Sequence, residues 1–114
     1  MIRVSITRTT ENKVQSFSIS GHANFANRGQ DIVCAGVSAV SIGSINAVMS
    51  LTDADLDIKQ ADSGYISVNV PDFTDAEIDS KVQLLLEGMI VSLQTIEKDY
   101  GKYITISEQV GGAT

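Results

Sequence analysis

The sequence predicts one α+β domain of element order ββαββαβ, with two long helices packed against a small sheet. Near the start, Ile2, Val4 and Ile6 alternate with Arg3, Ser5 and Thr7, the pattern of a half-buried strand. Two longer stretches instead repeat apolar residues at helical spacing: Val33, Val37, Val40, Ile45 and Val48 in one, Ile78, Val82, Leu85, Leu86, Met89, Leu93 and Ile96 in the other. Between them lie two short strand-like runs on either side of Asp62-Ser63-Gly64. The chain has 114 residues, enough for a single core, and the expected domain covers residues 1–108.

Taken in order, the polar turn Thr10-Glu11-Asn12-Lys13 follows the first strand, and Val14, Phe17 and Ile19 mark a second strand ending near Ser20, so the two form a hairpin. Residues 21–31 form a loop containing Gly21, Asn24, Asn27 and Gly29. Asp31 is a good N-cap, because its carboxylate accepts N–H groups of the next turn, and it opens a proline-free helix from Ile32 to about Leu51. Ala35, Ala39, Gly43, Ser38 and Ser41 make this helix thin, so burial must hold it. Leu56-Asp57-Ile58 and Tyr65 to Val70 form the second hairpin, stopped by Pro71. Thr74-Asp75-Ala76-Glu77 reads as a capping box for the second helix, which Gly101 terminates. Tyr103-Ile104-Thr105-Ile106 is a last strand, and residues 109–114 are expected to be a frayed tail.

Hydrophobic residues make up 43% and charged residues 19%, a globular balance. The net charge of −6, with no basic run or stripe, argues against direct binding to nucleic acid or to anionic membrane. No apolar run is expected to reach a membrane span, and the first residues carry no apolar signal region. One cysteine cannot form an internal disulfide, and no Cys/His cluster has metal-ligand spacing. The expectation is a cytoplasmic protein with a reduced thiol and no cofactor.

The single histidine, His22, and the single cysteine, Cys34, lie at the two edges of the same loop. With Asp31 as cap, Cys34 stands in the first helical turn, where unpaired N–H groups and the macrodipole favour a thiolate. Thiols at such positions have pKa values lowered from about 8.5 to about 3.5–7.5. The same N–H groups are candidates to bind an oxyanion, with Gly29 and Ala35 as the residues of an oxyanion or substrate loop. Asp31 works against the thiolate by charge, so its role is to order the loop and helix start or to orient His22. An imidazole folded back onto the sulfur would take the thiol proton and later protonate a leaving amine. Ser38, one turn after Cys34, shares its face. Taken singly, a lone Cys in an apolar helix is more often a small buried hydrophobe, and a lone His beside glycine a turn residue.

Gly21-His22-Ala23, followed by Gly29-Gln30-Asp31-Ile32-Val33-Cys34-Ala35-Gly36-Val37-Ser38-Ala39, resembles the ribosomal-processing cysteine protease family, Prp. The likeness runs along the whole chain, including Gly43-Ser44, Asn46 and Val91 to Ile96. It implies that Cys34 is the nucleophile and His22 its general base and acid, with Asp31, Ser38 and Gly21 in support. It further implies an endopeptidase that removes the N-terminal extension from the precursor of large-subunit ribosomal protein twenty-seven, cutting after aromatic residues beside an apolar cleft, and a homodimer with a mobile loop over the site. Where the family's loop often has glycine this chain has Ala26, which narrows the loop's accessible conformations. The competing readings are a non-catalytic ribosome-associated module that only binds peptide, a redox-sensing thiol, which the absence of a resolving cysteine weakens, and an amidase using the same dyad.

Overall fold

The alternation in the N-terminal segment becomes β1 (Ile2–Arg8), whose Ile2, Val4 and Ile6 are buried while Arg3 is exposed. The computed structural model describes residues 1–27, 30–61 and 64–111. In them β1 is followed by β2 (Val14–Ser20), α1 (Ile32–Leu51), β3 (Asp57–Ala61), β4 (Tyr65–Asn69), α2 (Ala76–Tyr100) and β5 (Ile104–Val110), the order ββαββαβ read from the sequence. The first hairpin closes through Thr9 N–H to Lys13 O at 2.8 Å, with Asn12 in the left-handed region at φ 67°.

The five strands lie in the order β3-β4-β2-β1-β5. Neighbours are antiparallel except β1 and β5, which run parallel, with Ile2 opposite Ile104 and Val4 opposite Ile106. Phe17 faces Ile6 across one ladder and Val68 across the other, so one face of the sheet is continuously apolar. The helices cover that face and pack against each other. α1 buries Val33, Val37, Ile45 and Val48; α2 buries Val82, Leu86, Met89, Ile90 and Leu93. Small residues on α1 permit this approach: even a Cβ at Gly36 would touch the Ile96 side chain at 3.7 Å. Ser41, buried among these residues, satisfies its hydroxyl by donating to Val37 O at 2.7 Å.

At the far end of the sheet, Arg8 donates to both carboxylate oxygens of Glu87 on α2, at 2.6 and 2.9 Å, and to Glu108 on β5 at 2.8 Å. Paired with the guanidinium, Glu87 titrates below its ordinary value, and Arg8 above its own. This pairing helps hold the end of β5, which runs past residue 108 into the expected tail. Gln109 and Val110 complete β5 opposite Thr7 and Arg8, and Gly111 N–H donates to Arg8 O at 2.8 Å. Residues 112–114 lie outside the described residues.

The cap of α2 is also displaced by one residue from the expected box. Asp75, not Thr74, is the N-cap, and its carboxylate accepts the Glu77 and Ile78 N–H groups at 2.9 and 3.2 Å. A charged acceptor outcompetes the neighbouring hydroxyl, and Glu77 turns to Lys81 instead. One further expectation fails: α1 is long and apolar enough by composition to cross a membrane. Its serines and glycines add no charge to interrupt the run. In this fold it is the small-residue core helix, with its valine stripe against the sheet and α2.

Candidate active site

The site begins where β2 ends. Gly21 takes φ 89°, and a Cβ there would collide with Met1 O, so only glycine lets the chain pass the start of β1. Met1 N also donates to His22 O at 2.6 Å, tying the same segment from its other side. Ala23 is then buried, and the chain turns over the N-terminus of α1.

Asp31 organises this crossing with both carboxylate oxygens. Oδ1 accepts the N–H groups of Val33 and Cys34 at 3.1 and 3.0 Å; Oδ2 accepts those of Phe25 and Ala26 at 3.0 and 3.5 Å. Held first by the Cys34 N–H, and also by those of Phe25 and Ala26, its carboxyl titrates below the usual 3.8. The Phe25 ring completes the anchorage, meeting Tyr100 and Tyr103 edge-on with centroids 5.9 and 5.1 Å away.

Cys34 is half-buried and lines a cavity of about 230 Å³. Its Sγ accepts the Ala23 N–H at 3.3 Å. His22, Gly21 and Ser38 line the same cavity, together with the apolar Ile2, Ile19, Val37, Ile42, Tyr65 and Ile66. Among the described residues no hydrogen bond joins His22 to Cys34. The resting sulfur is instead held by a backbone donor of the histidine's own loop.

Two expectations about the oxyanion change. The Val33 and Cys34 N–H groups are already taken by Asp31, and Ala35 N–H closes the first helical turn on Asp31 O at 3.0 Å. Ala35 is exposed and lies outside the cavity lining. Gly29 lies outside the described residues. What sequence reasoning missed is the Ala23 N–H, whose direction depends on how the loop folds back, and the wall supplied by the second hairpin through Gln60, Ala61, Gly64 and Tyr65. No local pattern marks those four; only the pairing of β4 with β2 brings them beside His22.

Asp31→Ala is expected to lower the melting temperature at pH 7 and to speed amide exchange at Phe25 and Val33, because four N–H groups lose their acceptor. The folded-state pKa lies below the unfolded value. Its contribution is therefore whole above 3.8 and lost as the pH falls through the lower folded value, so wild type and variant should converge in acid. A constant difference in melts down to well below that range would show that the carboxylate is not the ordering group.

A family model described as cysteine protease Prp matches residues 1–105. The protein named ribosomal processing cysteine protease Prp of Bacillus subtilis is 46% identical over 112 residues, covering 96% of this chain and 99% of that one. Its namesake in Staphylococcus aureus is 43% identical over 108 residues, covering 94% and 98%. Two crystal structures of the Staphylococcus aureus protease superpose closely. The complex with a covalently linked product peptide has a TM-score of 0.87 at 42% identity, and the complex with a substrate peptide 0.83 at 40%; each covers 96% of this chain and 100% of that one.

Proposed function

The chain belongs to the Prp family of cysteine proteases, and on that premise we propose that it is a ribosomal-processing endopeptidase in which Cys34 is the nucleophile and His22 the general base and acid. The observation that carries this reading is that Cys34 Sγ and His22, the chain's only cysteine and only histidine, line one cavity whose remaining wall is largely apolar. Sγ attacks the scissile carbonyl carbon as its proton passes to the imidazole. Collapse of the tetrahedral intermediate breaks the C–N bond, with that proton going to the departing amine. Water, deprotonated by the same imidazole, then cleaves the thioester and returns the free thiol. Asp31 fixes the loop and helix start around this exchange without entering it.

The substrate we propose is the precursor of large-subunit ribosomal protein twenty-seven, cut after the aromatic residues that end its N-terminal extension. Ile2, Ile19, Val37, Ile42, Tyr65 and Ile66 offer an apolar lodging for such a side chain. The net charge of −6 suits approach to a basic ribosomal protein. We further propose that the protein works in the cytoplasm as a homodimer, a reading supported by the exposed Leu84 and Val91 on α2.

Incubation of the protein with the extended ribosomal protein under reducing conditions, followed by intact mass, tests the assignment. The expected result is loss of the extension by a single cut after its aromatic end. An unchanged mass, with the substrate retained on the protein, would favour the peptide-binding module instead.

A further inference from the structure

We propose that Gly64, at the turn end of β4, is a positioning residue that seats the His22 imidazole; this rests on the reading of His22 as the general base. The β2–β4 ladder pairs Ile19 with Ile66, and continuing its antiparallel register places Gly21 opposite Gly64. Both glycines lie in the left-handed region, at φ 89° and 71°. The His22 imidazole, on an exposed residue, lies against Gly64. A Cβ at position 64 would stand 2.8 Å from Cε1 and 3.2 Å from Nε2 of His22, and 3.2 Å from Gly21 O.

A carbon 2.8 Å from Cε1 is closer than any real contact, so a side chain at position 64 forces the ring to move. The same Cβ would stand 3.2 Å from the backbone oxygen of Gly21, a second tight contact. The imidazole rotates about only its own torsions, and rotation re-aims both ring nitrogens. Gly64 therefore acts on the reaction through His22, from an element distant in sequence. Misplacement of a catalytic group by about 1 Å costs on the order of a hundredfold in rate.

The positive φ alone also favours glycine, so the test must separate backbone from Cβ. Asn tolerates the left-handed region and still carries a Cβ, whereas Ala carries the Cβ with the backbone penalty. The single histidine makes its ring-proton resonances readable by NMR without assignment. In both Gly64→Asn and Gly64→Ala, the imidazole ring-proton signals are expected to move. In both, kcat on a peptide spanning the cleavage site is expected to fall about tenfold to a hundredfold with KM within about twofold. A folded variant with wild-type imidazole signals, or with wild-type kcat, overturns the proposal. Wild-type protein supplies a reading that needs no variant: a nuclear Overhauser contact between the Gly64 Hα and His22 Hε1 protons is expected, and its absence also overturns the seat. His22→Ala assayed alongside keeps the two ideas apart. If it retains kcat, the general-base reading fails, while the Overhauser contact and the imidazole signals still judge the seat.

Discussion

Cys34→Ala is expected to leave a folded protein with no detectable cleavage of the extended ribosomal protein. The fold should survive because Asp31 caps α1 through the backbone N–H of residue 34, which alanine retains, and alanine is the best helix former. Cys34 is only half-buried and lines the cavity, so no closed void is left behind. What disappears is the sole thiol in the chain, and with it the only group able to form the thioester. The apolar cavity wall is untouched, so the variant should still bind the precursor and co-elute with it on gel filtration. Iodoacetamide offers a chemical version of the same test: one adduct per chain by intact mass, with activity falling in proportion. Cleavage by Cys34→Ala at more than a trace of the wild-type rate would remove the thiol from the mechanism.

Much of this arrangement was legible in the residues. Asp31 before a proline-free apolar stretch located the start of α1 to the residue, because a carboxylate cap is a local device. Period-two alternation marked β1, since one of its faces is solvated. Other features depend on contacts between distant segments. The parallel pairing of β5 with β1 draws Gln109 and Val110 into the sheet, although nothing in their own sequence reads as strand. The free N–H groups expected at the helix start turned out to be occupied, because the two oxygens of Asp31 serve both the helix and the loop folded over it. The wall formed by Gly64 and Tyr65 follows from β4 pairing with β2 rather than with a sequence neighbour alone.

His22→Ala is expected to lower kcat/KM for the precursor about a hundredfold to ten-thousandfold. In the resting geometry Sγ has the Ala23 N–H as its partner and no bond to the imidazole, so the proton transfer must be set up when peptide enters the cavity. Removing the ring takes away the acceptor for the thiol proton and the donor to the leaving amine together, so the loss should fall on kcat. The backbone ties at this position, Met1 N to His22 O and Ala23 N to Sγ, do not involve the ring, and the variant should keep its melting behaviour and its affinity for the precursor. Added imidazole should restore part of the rate, since the ring's place beside Gly64 opens on the cavity that Cys34 also lines. If the variant instead raised KM with kcat unchanged, His22 would be holding peptide, and the proton would have to leave the thiol by way of Asp31 or solvent.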